Sequence, residues 1–294
     1  MAHSTDKPRE HAVRLGDIDL TFFEWGKAGD PQVLLVHATG FHARCWDQTV
    51  AELGPGFHAY ALDMRGHGRS TKQGPHKWSG FGADVAAFVE AMGMDSAIGV
   101  GHSMGGHSVV QAAAAHPSRL RSLLLVDPVI MSPEAVRDHP VGAFLSAEDH
   151  PVSRRRYQWD SPASMFERFK NRHPFNLWRP EVLRDYCDHG VIAEGDGYVL
   201  ACPPVVEASI YLDSGRPDLM PIIESLPHPV TVLRAHKRET REGPMDFSQS
   251  PTWEGLAAAF PNGQDVYLPE LTHFIPMQRP DLVASHIKVL AAAT

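Results

Sequence analysis

Ala97-Ile98-Gly99-Val100-Gly101-His102-Ser103-Met104-Gly105-Gly106 is the stretch whose reading decides the fold. An apolar run, Ala97 to Val100, runs into G-x-S-x-G at Gly101 to Gly105, and the small and apolar residues from Ser108 to Ala115 continue as a helix. Strand, sharp turn and helix in that order make a nucleophile elbow, which lifts a serine side chain clear of the sheet. The glycines let neighbouring backbone approach where a Cβ would collide. Ser103 is the candidate nucleophile. The five-residue pattern is weak alone, and the strand before it with the helix after it supplies the context it needs.

Outward from this stretch the chain alternates strands and helices. Residues Ala12 to Trp25 alternate apolar and polar around Gly16-Asp17, which predicts a hairpin. Strands follow at Gln32 to Val36, Phe57 to Leu62 and Leu120 to Val126, with a helix at Phe81 to Ala91. The pattern resumes with a strand at Val230 to Arg234, a helix at Pro251 to Phe260, a strand at Asp265 to Leu268 and a helix at Pro280 to Ala292. This order predicts an α/β fold: a mostly parallel sheet flanked by helices, with ligands at the carboxyl ends of the strands. Between the sixth strand and Leu226 prolines, charges and aromatics replace the apolar runs. The expected organisation is a core of residues 1–127 and 227–294 with a largely helical cap, 128–226, inserted after the sixth strand.

The 294 residues are 43% hydrophobic and 21% charged, enough for a large buried core. A formal net charge of −8 gives no electrostatic footprint for nucleic acid. The one basic run, Arg154-Arg155-Arg156, reads as a solvated face. No signal-peptide pattern and no stretch of eighteen apolar residues is present, so a cytoplasmic protein without a membrane partner is expected. Three cysteines, Cys45, Cys187 and Cys202, fit neither a disulfide framework nor a C-x-x-C site. The histidines number 18 but show no metal-ligand spacing, so neither metal nor cofactor is expected.

Four motifs in order, His37-Ala-Thr-Gly40, Asp63-Met-Arg-Gly-His-Gly-Arg-Ser70, Gly101-His-Ser-Met-Gly-Gly106 and Leu271-Thr-His-Phe-Ile-Pro276, resemble those of cap-bearing serine hydrolases of the α/β-hydrolase superfamily. The resemblance covers nearly the whole chain. It implies that His273, on a loop after the last strand, is the base that a serine hydroxyl needs. The acid that orients this base falls between Ser103 and His273 in chain order. Asp127, at the end of the sixth strand, is the first choice. Glu239, after the strand Val230 to Arg234, is the alternative, and Asp246 comes third. For the oxyanion, the resemblance implies the backbone amides of Met104 and, within one residue, Thr39. The unusual His37-Ala38 replaces the family's His-Gly. His67 and Arg69 are read as anchors of neighbouring backbone. Phe41, His102 and Phe274 are candidate lining of the substrate pocket.

The implied activity is hydrolysis of a carboxylic ester, lactone or amide of a small to medium apolar substrate through an acyl-enzyme. Two alternatives stand beside it: carbon–carbon bond hydrolysis or cofactor-free perhydrolysis on the same residues, and a receptor-like protein that binds a ligand without turnover. The partner in each case is a small molecule, and the sequence sets no oligomeric state.

Overall fold

A computed structural model of the chain describes residues 7–137, 146–213, 217–236 and 248–293. Among these residues eight strands form one sheet: β1 (Arg9–Leu15), β2 (Ile18–Trp25), β3 (Gln32–Val36), β4 (His58–Leu62), β5 (Ala97–His102), β6 (Leu120–Val126), β10 (Val230–Arg234) and β11 (Gly263–Tyr267). Their spatial order is β1-β2-β4-β3-β5-β6-β10-β11. The β1–β2 and β2–β4 pairs are antiparallel and the rest parallel. The central strands carry near-continuous apolar runs, such as Val33–Val36 and Leu123–Val126, because both faces are covered by helices, which leaves no polar side to alternate with.

Helices α2 (Trp78–Ala91) and α3 (Met104–Ala115) pack on one face, where Trp78, Phe81, Phe88 and Leu123 form one core. On the other face α1 (Asp47–Leu53) and α11 (Pro280–Ala292) enclose Trp46, Ile98, Val100 and Ile287. Two short helices, α9 (Leu256–Ala259) and α10 (Ile275–Gln278), complete the sheet-bearing part.

Between β6 and β10 lie α4 (Pro133–Arg137), α5 (Pro162–Phe169), α6 (Pro180–His189), α7 (Pro204–Leu212) and α8 (Met220–Ile223). This stretch is less purely helical than its sequence suggests. Strands β7 (Gln158–Trp159), β8 (Val191–Glu194) and β9 (Gly197–Leu200) form a separate antiparallel sheet in the order β7-β9-β8. The β8–β9 turn needs Gly195, whose φ of +57° is left-handed. A third core ties the segment together through Trp159, Met165, Trp178, Leu183 and Tyr186, and it includes Phe274 and Met277 from the sheet-bearing part.

The topology also places the site. Chain order moves from β3 outward to β4 and then returns to β5 on the other side of β3. The sheet therefore opens a crevice at the carboxyl ends of β3 and β5, where doubly wound folds bind ligands.

Candidate active site

Ser103 follows β5 and precedes α3 with φ 56° and ψ −116°, a strained conformation for a residue with a side chain. It is held by its neighbours. A Cβ on Gly101 would lie 2.4 Å from the Gly105 carbonyl, and a Cβ on Gly105 would lie 2.1 Å from Val36 O. Only glycine at these two positions lets α3 start this close to β3 and β5.

His273 reaches Ser103 from the loop after β11, with Nε2 3.0 Å from Ser103 Oγ. Its Nδ1 lies 2.6 Å from Asp127 Oδ2. An ionised carboxylate only accepts hydrogen bonds, so Nδ1 carries the proton and Nε2 presents its lone pair to the serine hydroxyl. Asp127 is fully buried, while Ser103 and His273 are 6% and 9% exposed. Three further donors converge on Asp127 Oδ1: the amide of Ala235 at 2.9 Å, Ser250 Oγ at 2.6 Å and Thr252 Oγ1 at 3.2 Å. Asp127 itself has φ 44°, and its amide donates to Leu233 O at 2.7 Å. Tertiary bonds thus hold this carboxylate in a conformation that its own backbone disfavours.

The structure brings Ser103, His273 and Asp127 into one hydrogen-bonded row. Glu239 and Asp246 lie outside the described residues. Ser250, Thr252 and the Ala235 amide escaped the sequence reading, because a lone serine or threonine in a loop carries no local pattern that marks it.

Thr39 follows β3, and its Oγ1 donates to Met104 Sδ at 3.4 Å, so the two residues named for the oxyanion touch. Among the described residues, no acceptor is found for the amides of Thr39 and Met104. The neighbouring Gly40 amide is already used, donating to His67 Nε2 at 3.0 Å. His67 Nδ1–H in turn donates to Arg65 O at 2.9 Å, and burial holds the ring well below the usual histidine range, so it is a neutral brace. His37 has the same role: it accepts from the Met64 amide at 3.0 Å and donates to Ala38 O at 2.8 Å. Its pKa is lowered, first by burial.

His102 does not line the pocket as the sequence suggested. It is fully buried, and its Nε2–H donates to the carbonyl of His273 at 2.8 Å, so it supports the histidine loop from behind. Burial, followed by the neighbouring His273, pushes its pKa well below the ordinary value.

Ser103 and His273 open into a cavity of about 750 Å³, and Thr39, Phe41 and Phe274 also line it. The far wall comes from the segment between β6 and β10, including Trp159, Phe169, Phe175, Trp178 and Tyr186. These rings pack face and edge, with Phe169 and Phe175 stacked at 4.3 Å between centroids. The cavity is not purely apolar. Arg154, Arg155 and Arg156 all line it: Arg154 and Arg156 are exposed, as a solvated face requires, and Arg155 is half-buried. Glu207 enters from α7 and pairs with Arg155, whose Nη2 also donates to Tyr186 Oη at 3.1 Å. Burial works against the Arg155 charge, but Glu207 and Tyr186 more than offset it and hold its pKa above the ordinary arginine value.

Among the described residues no group of three or more His, Cys, Asp or Glu is placed to hold a metal ion, and no helix is long and apolar enough to cross a membrane.

A serine on a strand–turn–helix elbow over a mostly parallel sheet accompanies a match to a family of hydrolases, and the chain is an enzyme of the hydrolase class. The alpha/beta hydrolase family profile matches residues 33–286, and the chain belongs to that family. It is 27% identical over 277 residues to a bifunctional esterase/perhydrolase of Acinetobacter calcoaceticus, covering 90% of this chain and 93% of that one. An N-formylmaleamate deformylase of Pseudomonas putida is 36% identical over 115 residues, 38% of this chain and 42% of the relative. The solved structure of E-2-(acetamidomethylene)succinate hydrolase superposes with a TM-score of 0.77 at 22% identity, over 97% of this chain and 100% of that one, a likeness of fold.

Proposed function

We propose that this hydrolase cleaves a carboxylic ester, or the corresponding lactone or amide, through an acyl-enzyme on Ser103. Ser103 Oγ attacks the carbonyl carbon while His273 Nε2 takes its proton. Asp127 keeps the imidazole in the Nδ1–H tautomer and stabilises the imidazolium. The negative charge that develops on the carbonyl oxygen is received by the amides of Thr39 and Met104, each worth on the order of 3 kcal/mol by analogy with a measured donor. His273 then returns the proton to the departing alcohol or amine. Water, deprotonated by the same Nε2, attacks the acyl-enzyme, and the carboxylic acid leaves.

The observation that carries this reading is the Ser103–His273–Asp127 row, with contacts of 3.0 and 2.6 Å, opening into a cavity that Ser103 and His273 line. The test is turnover of p-nitrophenyl esters from acetyl to decanoyl by the wild-type protein and by Ser103→Ala. The expected result is turnover by wild type with a chain-length optimum, and none by the variant. Equal rates for the two proteins would overturn the reading.

The likeness to an esterase/perhydrolase favours a second reading on the same intermediate, with hydrogen peroxide replacing water in the second step to give a peracid. Peracid formation from acetate and hydrogen peroxide measures it directly.

A further inference from the structure

Resting on the acyl-enzyme reading, we propose that the substrate carries an anionic oxygen group, a carboxylate or a phosphate, at the end remote from the bond that is cleaved. Arginines brought to the cavity by the segment between β6 and β10 bind this group. Among the described residues five arginines line the cavity, Arg154, Arg155, Arg156, Arg168 and Arg172, against a single carboxylate, Glu207. The whole chain has a net charge of −8, so this concentration of positive charge runs against the molecule's overall sign.

The five differ in how they are occupied. Arg155 is committed to Glu207 and Tyr186. Arg156 pairs with Asp160 at 3.3 Å and lies 4.4 Å over the Trp159 ring. Arg154, Arg168 and Arg172 are exposed, and among the described residues none of them has a carboxylate within ion-pair distance. Guanidinium groups stay charged at every accessible pH, and their forked N–H groups fit the oxygens of carboxylates and phosphates.

From the Ser103 end a chain of touching rings, Phe41, Trp178, Phe175 and Phe169, runs along the lining to the helix that carries Arg168. The lining therefore matches a molecule with three parts: a carbonyl at Ser103, an apolar middle and a charged end. An exposed arginine contributes little alone, but three unpaired ones at one cavity raise the local concentration of an anion and steer its approach.

The test pairs turnover with binding. For turnover, p-nitrophenyl hexanoate is compared with the mono-p-nitrophenyl ester of adipate, which has the same acyl length and a terminal carboxylate. The expected result is about tenfold higher kcat/KM for the carboxylate ester at low salt, falling as sodium chloride rises, with the neutral ester insensitive to salt. Arg168→Ala/Arg172→Ala removes that preference and leaves the neutral ester within about twofold. For binding, adipate and 6-phosphonohexanoate are titrated calorimetrically into Ser103→Ala with and without the two arginine changes, and the tighter ligand identifies the oxygen group. If both esters turn over equally and the arginine changes affect neither, the anion assignment fails while the hydrolase reading stands. If no ester turns over but adipate binding depends on the arginines, the hydrolase reading fails and the anion site stands. Binding of neither dianion, or binding indifferent to the arginines, overturns the inference.

Discussion

The two sides of the cavity are built by different rules. The side beneath Ser103 consists of strand ends, and each group there is fixed by several bonds. Asp127 Oδ1 receives three donors besides the histidine on Oδ2, and His102 holds the His273 carbonyl. Ser103 and Asp127 both keep positive φ angles there. The opposite side, between β6 and β10, is assembled from short helices and a small sheet whose rings touch one another, and it presents arginines with few partners. Over-determined geometry suits groups that must be aligned when charge develops, because no reorganisation is then required. A wall of packed aromatic rings suits selection, since a changed side chain there alters the shape of the space and leaves the reacting atoms in place.

Substitutions can break this contrast. The largest effect is expected for Asp127→Asn. The amide would turn an N–H toward His273 and favour the wrong tautomer, and the equivalent change in a serine protease lowers kcat about 10⁴-fold. A kcat within tenfold of wild type, in a protein of unchanged Tm, would contradict the role given to this residue. On the opposite side, Phe175→Ala removes a ring stacked on Phe169 and facing the cavity. It is expected to raise KM for hexanoyl and longer esters about tenfold through lost apolar contact, with kcat within about twofold. A fall in kcat with unchanged KM would erase the distinction between the two sides.

Ser250→Ala sharpens the comparison by deleting one donor to Asp127. A hydrogen bond of about 1 kcal/mol predicts a roughly fivefold loss in kcat with KM unchanged. The smallest effect concerns the seam between the two sides, where Gln48 Nε2 of α1 donates to Asp185 of α6 at 2.7 Å. Burial, then the charge of Asp47, raises the Asp185 carboxyl from 3.8 to about 7, while Gln48 and Arg44 oppose the shift. The folded protein therefore keeps a proton that the unfolded chain has released, and stability falls as pH rises from 3.8 to about 7, then levels off. Asp185→Asn should raise Tm by about 2 °C at pH 8, with the two profiles converging below about pH 4. Thermal melts across that range check the sign.

The sheet was legible wherever burial on both faces left a continuous apolar run. Strands β3, β6 and β10 and helix α11 have the bounds their sequences suggest. The helix expected over Pro251 to Phe260 is only Leu256–Ala259, because Thr252 is drawn away, its one hydroxyl proton shared between Pro128 O at 2.8 Å and Asp127 Oδ1 at 3.2 Å. The small sheet β7-β9-β8 was missed because its strands are two to four residues long and carry little periodicity. Its one local sign was Gly195-Asp196-Gly197 between two short runs suited to strands. The arginine run at 154–156 was visible, but the side it faces depends on how distant elements fold over it. The same holds for His102, where an elbow position alone does not tell a pocket residue from one packed behind the histidine loop.

The most direct test of the central claim, a Ser103 nucleophile activated by His273, is covalent labelling by a fluorophosphonate followed by intact-mass and peptide analysis. The expected result is one phosphonyl group per chain on Ser103, at least a hundredfold slower labelling in His273→Ala, and none in Ser103→Ala. Modification of another residue, or equal labelling rates for wild type and His273→Ala, would contradict it.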